Sequence, residues 1–162
     1  MRKTLSIVLI VLICPQTYGQ LFPQHSAGVR VAGGYYGDAN GQGGTRGIVG
    51  GEACLFCEGR RALFLEYSHF FPGSAGYDNA DLVAAGLRLQ SERKAKFFFD
   101  VGVAVGNSRV RSSTVSSVGA TFGAGLQITL GPRFYFSPSF RIYPMNHTNI
   151  AGSFGTGLGL RF

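Results

Sequence analysis

The sequence predicts an all-β fold: an eight-stranded antiparallel up-and-down transmembrane β-barrel that follows a cleaved N-terminal signal peptide. Three observations carry this prediction: the composition, a short apolar run near the start, and an apolar residue at every second position along most of the chain. Of 162 residues, 25 are Gly, 14 are Phe and 7 are Tyr, while only 14% are charged. This composition is too apolar for a disordered chain. Gly also costs about 1 kcal/mol at each helical position, which disfavours a helical bundle.

The N-terminal residues have the layout of a secretory signal peptide. Two basic residues precede a nine-residue apolar run at 5–13, and small residues stand three and one positions before a predicted cleavage after Gly19. As a helix, this run would rise about 14 Å, half of a bilayer, so it does not predict a membrane span. We therefore expect a signal peptide at 1–19 and a single β-barrel domain at 20–162.

Eight segments of about ten residues carry apolar side chains on alternate positions, which is the pattern of strands with two different faces. Pro138 is the one residue that does not suit a central strand, and it predicts a bulge or a shorter seventh strand. With representatives of their apolar faces, the predicted strands are 27–37 (Val29, Val31), 46–55 (Val49, Leu55), 61–71 (Leu63, Leu65), 80–90 (Val83, Leu87), 96–106 (Phe97, Phe99), 117–130 (Phe122, Leu126), 133–143 (Phe134, Phe140) and 150–162 (Leu158, Leu160).

The segments between the strands alternate in length. Short connections are predicted at 56–60, 91–95 and 131–132, and longer polar ones at 38–45, 72–79, 107–116 and 144–149. Outer-membrane barrels have short periplasmic turns and longer external loops. This alternation therefore predicts which end of the barrel faces the periplasm.

The two faces of the strands differ in a way that favours a membrane. A soluble barrel would turn its polar face outward, whereas a membrane barrel turns its apolar face outward. The apolar face carries more Phe, Leu and Val than the interior of eight strands can contain, while the other face is rich in Gly, Ala and Ser. A soluble eight-stranded ligand carrier stays open as an alternative. Aromatic residues near the strand ends predict two interfacial girdles, formed by Tyr35, Tyr67 and Phe71 and by Phe97, Phe134 and Phe162.

The predicted lumen face contains charges of both signs. Buried charges are costly unless they are paired, so we expect these side chains to form ion pairs that plug the lumen. A gated path for small ions is the alternative. The predicted network consists of Arg30, Glu52, Glu66, Arg88, Asp100 and Arg141.

The last residues, FGTGLGLRF at 154–162, alternate apolar side chains and end on an aromatic one: Phe154, Leu158, Leu160 and Phe162. This tail resembles the C-terminal assembly signal of bacterial outer-membrane barrels, and the layout of the chain resembles the small OmpA/OmpX-type outer-membrane β-barrel family. The resemblance implies a monomer in the outer membrane of a Gram-negative bacterium. Its implied partners are outer-membrane lipid, the barrel assembly machinery and periplasmic chaperones. It implies a non-enzymatic structural anchor or loop-display protein, with a narrow porin-like channel or a lipid-modifying enzyme as alternatives.

Few residues suggest a catalytic, redox or metal-binding site. Cys54 and Cys57 are spaced C-x-x-C, which predicts a local disulfide in an oxidising compartment or two free thiols. The segment from His147 to Asn149 resembles the His-x-Ser-Asn motif of lipid A deacylases, but it lacks the Ser and a following Glu. His25 and His69 do not share a metal-like spacing with it. We therefore expect no catalytic residues, no cofactor and no metal.

The basic isoelectric point of about 9.7 would suit a protein that binds nucleic acid, but a protein exported to a membrane does not encounter nucleic acid. We therefore expect no nucleic-acid partner. The basic residues predicted at the periplasmic turns are instead expected to meet lipid phosphates. These residues are Arg60, Arg61, Arg93, Lys94, Lys96 and Arg133.

Overall fold

A computed structural model describes residues 25–38, 43–57, 60–72, 77–91, 95–110, 113–146 and 149–162. The predicted signal peptide lies outside these ranges. The described residues form eight strands in the predicted order: β1 (Ser26–Asp38), β2 (Gly43–Leu55), β3 (Arg61–Phe70), β4 (Tyr77–Gln90), β5 (Ala95–Val110), β6 (Ser113–Thr129), β7 (Phe134–Pro144) and β8 (Asn149–Arg161). Within the described ranges, there is no helix long and apolar enough to cross a membrane.

The eight strands close into a barrel, which confirms the predicted all-β fold. Each strand pairs antiparallel with the next, and β1 pairs with β8. Backbone hydrogen bonds between His25 and Phe162, at 2.8 and 2.9 Å, extend this last ladder beyond the strands. We call the end of the barrel at which His25 and Phe162 lie the terminal end, and the opposite end the loop end.

The predicted contrast between short turns and long loops is wrong. β5 and β6 pair without interruption out to Val110 and Ser113, so only two residues, 111–112, connect them. The segment at 107–116 is polar because these strands continue beyond the apolar part of the outer wall. The other loop-end connections, at 39–42, 71–76 and 145–148, are about as short as those at the terminal end.

Pro138 produces neither the predicted bulge nor a shortened strand. β7 is 11 residues long and includes Pro138. The register between β6 and β7 is the same on both sides of it, since Gly125 pairs with Ser139 and Ile128 with Phe136. Only the pairing between these two points is interrupted, as expected for a residue that has no backbone N–H to donate.

Side chains alternate between the lumen and the outer wall. On β3, Leu63 and Leu65 are 41% and 48% exposed, whereas the intervening Phe64 and Glu66 are 3% and 1% exposed. The strands therefore have the predicted parity, with large apolar side chains outward and charges inward.

The apolar side chains of the outer wall form a continuous belt. On β5 the belt extends from Phe97 to Val105. This distance is about 27 Å along the strand, or about 21 Å along the barrel axis at a tilt of about 40°. Phe97, Phe134 and Phe162 are exposed at the terminal end, and Tyr67 and Phe71 are exposed at the loop end. The belt is close in height to the apolar band of about 25 Å that membrane barrels show.

Candidate functional site

Six charged side chains meet in the lumen, and we call them the charged cluster. They come from β1, β2, β3, β4, β5 and β7, and all are at most 6% exposed. With three guanidinium groups and three carboxylates, the ionised cluster has no net charge. The structure brings together all six residues of the predicted network: Arg30, Glu52, Glu66, Arg88, Asp100 and Arg141.

Arg141 on β7 is the centre of the charged cluster because it contacts all three carboxylates. Its Nε lies 2.6 Å from Oε2 of Glu66, and its Nη2 lies 2.9 Å from Oδ2 of Asp100 and 3.4 Å from Oε2 of Glu52. The absent side chain of Gly123 leaves room for it, since a Cβ there would lie 3.1 Å from Cγ of Arg141.

Arg88 on β4 binds Asp100 through two parallel hydrogen bonds. Its Nε donates to Oδ1 at 2.8 Å and its Nη2 donates to Oδ2 at 2.9 Å. This two-pronged geometry is the strong form of an arginine–carboxylate pair. Nη2 also lies 3.5 Å from Glu52, and the guanidinium carbon lies 4.0 Å from the ring centre of Phe98. Arg88 is therefore held by charge and by an aromatic face together.

Glu66 on β3 is bound from several directions. Its Oε1 accepts hydrogen bonds from Arg30 at 3.0 Å, from the Ser68 hydroxyl at 2.8 Å and from the Tyr143 hydroxyl at 2.7 Å. Arg30 also donates to the hydroxyl of Ser153 at 2.8 Å. Each group that binds the carboxylate replaces water that the ion lost on burial.

The contacts of Glu66 span the lumen from one wall to the opposite one. Three strands separate β3 from β7 on either side of the ring, so these two strands are opposite walls of the barrel. Tyr143 and Arg141 of β7 both reach Glu66 at hydrogen-bond distance. There is no space for a water column between groups in direct contact.

A cluster of buried apolar side chains lies in the lumen on the loop side of the charged cluster, beside the buried side chain of Arg46. It contains Tyr36, Ile48, Phe70, Leu82 and Met145, none more than 8% exposed. The sequence pattern did not indicate these residues, because the inward parity is predominantly polar or small on most strands. The available signal was the adjacency of apolar residues, such as Phe70 beside Phe71, where one side chain must point inward.

Cys57, which follows β2, is buried at the terminal end of the barrel. Cys54 and Cys57 are joined by a disulfide, and both are buried. Phe56 between them adopts a left-handed backbone conformation with φ of 57°, which turns the chain back toward the lumen. The carbonyl oxygen of Cys57 accepts hydrogen bonds from Nε2 of Gln90 at 2.7 Å and from Nζ of Lys96 at 3.4 Å. Lys96, predicted at a periplasmic turn, therefore points to the lumen mouth.

Asp81 on the outer wall is the centre of a polar contact group that the sequence did not suggest. Oδ1 of Asp81 accepts a hydrogen bond from the Tyr67 hydroxyl at 2.6 Å and lies 2.8 Å from Nδ1 of His69. Within the described ranges, no three His, Cys, Asp or Glu side chains are grouped to hold a metal ion. His147, Arg93 and Lys94 lie outside the described residues.

The tail residues face outward along β8. Phe154, Leu158 and Phe162 are 67%, 58% and 43% exposed, and Leu160 is half-buried. His25 packs against Phe162, with ring centres 6.3 Å apart, and against Phe56, with ring centres 5.7 Å apart. The final aromatic residue therefore lies on the outer rim of the terminal end.

Solved structures share this fold, although no protein-family model and no curated protein sequence matches the chain. The barrel is similar to Neisserial surface protein A, with a TM-score of 0.69 and 12% identity over 85% of this chain and 97% of that one. The N-terminal β-barrel domain of Pseudomonas aeruginosa OprF has a TM-score of 0.65 and 17% identity, over 85% of this chain and 97% of the domain. Ail of Yersinia pestis, in complex with the heparin analogue sucrose octasulfate, has a TM-score of 0.63 and 16% identity, over 88% and 100%.

These similarities define a fold class. The chain has the closed eight-stranded architecture of the small outer-membrane β-barrels, as its resemblance to the OmpA/OmpX-type family implied. Identities of 12% to 17% establish this shared architecture and do not transfer a role.

Proposed function

We propose that the protein is an integral outer-membrane barrel of a Gram-negative bacterium and acts as a non-enzymatic anchor that displays its loop-end connections. The observation that carries this proposal is the inverted surface. Large apolar side chains are exposed around the outer wall, while the charged cluster is buried in the lumen. In water this arrangement would expose an apolar belt far larger than the patches of soluble proteins. In a bilayer the same belt would contact the hydrocarbon chains of the lipids.

The lumen contacts favour an anchor over a narrow channel. Opposite walls touch through Glu66, an apolar layer lies on one side of this contact, and the disulfide-bonded turn lies on the other. A porin-like channel, which is the alternative, would need a water path past all three of these features. The buried cluster is also inaccessible to substrate, which favours a non-enzymatic role.

Export and assembly form part of the proposal. Residues 1–19 would direct the chain across the inner membrane and be removed, and the terminal end would then face the periplasm. Phe154, Leu158, Leu160 and Phe162 would be the signal that the barrel assembly machinery recognises after periplasmic chaperones deliver the chain. Their outward orientation on the last strand supports this role, because a receptor can reach them from the side.

Cell fractionation tests the proposed location. The folded protein is expected in the outer-membrane fraction, resistant to extraction by carbonate or urea. Its unheated form is expected to migrate faster on a detergent gel than its boiled form. Recovery as a soluble periplasmic protein, with the same mobility before and after heating, would overturn the proposal and favour a soluble carrier.

A further inference from the structure

Polar side chains form a row across the outer wall near the loop end. They come from β3, β4, β5 and β6 and are direct neighbours in the three ladders: His69 with Asp81, Asp81 with Asn107, and Asn107 with Ser116. Asn107 and Ser116 are exposed, and the side chains of His69 and Asp81 are 26% and 48% exposed. We call these four residues the polar row.

The next outward row toward the terminal end is apolar. Its members are again direct neighbours in the three ladders, and all are exposed: Tyr67, Val83, Val105 and Val118. The polar row therefore lies at the boundary of the apolar belt, where the polar headgroups of a bilayer begin. A lipid in this place would have its headgroup at the polar row and its hydrocarbon beside Val83 and Val105.

Contacts around the polar row hold Asp81 in place and leave one of its oxygens for a ligand. Its Oδ1 accepts a hydrogen bond from the Tyr67 hydroxyl at 2.6 Å and lies 2.8 Å from Nδ1 of His69. Oδ1 of Asn107 accepts a hydrogen bond from the Ser116 hydroxyl at 2.8 Å. Within the described ranges, Oδ2 of Asp81 and Nδ2 of Asn107 make no hydrogen bond. An acceptor and a donor therefore stand on adjacent strands, with Cβ atoms about 5 Å apart.

This pair of groups suits two neighbouring hydroxyls of a sugar ring. A hydroxyl is both a donor and an acceptor, so one can donate to Oδ2 of Asp81 while the next accepts from Nδ2 of Asn107. An ammonium group has only donors and would leave the Asn107 amide without a partner. An ionised phosphate diester has only acceptors and would leave the Asp81 carboxylate without one. The exposed rings of Tyr67 and Phe71, on either side of His69, add apolar surface on which the C–H groups of a sugar can pack.

We propose that the polar row binds the sugar headgroup of a glycolipid in the outer leaflet. Two adjacent hydroxyls of the sugar would lie at Asp81 and Asn107, and an acyl chain would lie beside Val83 and Val105. The inference rests on the proposed function, because only a membrane barrel with its loop end outward presents the polar row to that leaflet. It goes beyond that function by assigning a ligand class and a position on the wall. A free sugar would leave the two valines uncovered, so the apolar row favours the lipid.

The test compares lipids retained by the folded protein. The barrel is purified in micelles that contain equal amounts of a monoglucosyl diacylglycerol and a phosphatidylcholine with identical acyl chains, and bound lipids are counted by native mass spectrometry. Wild type is expected to retain the glycolipid in excess. Asp81→Ala is expected to lower that excess about tenfold, which corresponds to about 1.4 kcal/mol, the scale of one hydrogen bond to a charged group. Thr45→Ala removes an exposed polar side chain on β2 near the same end, outside the polar row, and is expected to retain the excess.

A second variant tests the contact at the neighbouring strand. Asn107→Ala removes an uncharged donor and is expected to lower the excess about fivefold. Equal retention of both lipids by wild type, or losses in Asp81→Ala and Asn107→Ala no larger than in Thr45→Ala, would overturn the sugar site while leaving a folded membrane barrel intact.

Two further arms distinguish the glycolipid from other ligands. Phosphatidylethanolamine is expected to be retained no better than phosphatidylcholine, and retention equal to that of the glycolipid would overturn the inference in favour of an ammonium site. Methyl glucoside, which is the sugar without acyl chains, is expected not to compete at equal concentration, and competition would overturn it in favour of a site for free sugar. Heat-modifiable mobility of each variant shows that it has folded. Its absence in wild type would count against the proposed function itself.

Discussion

Replacing Arg141 with methionine removes the cation that joins the three carboxylates of the charged cluster. Methionine keeps much of the volume of the side chain and leaves Glu52, Glu66 and Asp100 with only two guanidinium groups. The charged cluster then holds one uncompensated negative charge out of contact with water. We expect the barrel to be destabilised without a change of fold, since the backbone ladders do not depend on this side chain.

The size of the effect follows from the contacts. Arg141 lies 2.6 Å from Glu66, 2.9 Å from Asp100 and 3.4 Å from Glu52, and it is fully buried. Removal of one partner from a buried ion pair costs about 3–5 kcal/mol. Because the two closer pairs are lost together, the loss of unfolding free energy is expected toward the upper part of that range.

A second substitution tests whether charge imbalance is the cause. Arg141→Met combined with Glu52→Gln leaves two matched pairs, Arg30 with Glu66 at 3.0 Å and Arg88 with Asp100 at 2.8 Å. This double variant is expected to recover much of the stability that the single variant loses. Arg133→Met is the matched control at an exposed position, where such a change costs about 0–1 kcal/mol.

The assay is equilibrium unfolding by urea in lipid vesicles, monitored by the gel mobility of the folded form. The sequence contains no Trp, so mobility is a better signal than intrinsic tryptophan fluorescence. If Arg141→Met were as stable as Arg133→Met, or if the double variant were no more stable than the single one, the charged cluster would not be held by balanced pairing.

Other consequences of the structure are open to direct measurement. Deletion of Phe162 is expected to reduce the folded protein in the outer membrane far more than Cys54→Ser, judged by the heat-modifiable band, and equal levels would contradict the proposed assembly signal. Gly159→Ala is expected to destabilise the barrel by about 1–3 kcal/mol in urea unfolding, because its Cβ would overlap the ring of Tyr135. Gly33→Ala, with open space around it, is the control, and equal costs would show that Tyr135 yields easily. Planar-bilayer recordings of the purified protein are expected to show no stable large conductance, since opposite lumen walls touch, and a sustained open level would require the charged cluster to rearrange.

The strands and the orientation of their side chains were predictable from the sequence. One face of each strand is turned outward and the other toward the lumen, so apolar residues recur at every second position. The predicted fifth strand, 96–106, was too short for the same reason. Beyond Val105 the outward residues are Asn107 and Arg109, so the apolar signal stops although the ladder continues to Val110. Periodicity locates the part of a strand beside the belt, and it does not locate the end of the hydrogen bonding.

The members of the charged cluster were predictable from parity, but their partners were not. Arg141 meets Glu66 from the opposite wall, and this encounter depends on the stagger of the strands around the whole ring. The stagger of the strands cannot be obtained from any local pattern in the sequence. The inward rings of Phe64 and Phe98 were missed for a different reason, because each stands between two outward apolar residues and merges with them into one apolar run.

The pairing of β1 with β8 determines when the barrel can form. Ser26 pairs with Arg161 and Asp38 with Asn149, so the seam joins the two most distant strands of the described chain. Until the 13 residues of β8 arrive, β1 and β7 each have an unpaired edge that invites pairing with other chains. Contacts so remote in sequence also form slowly. Closure of the barrel therefore depends on β8, and until β8 pairs the chain presents two strand edges at which it can aggregate.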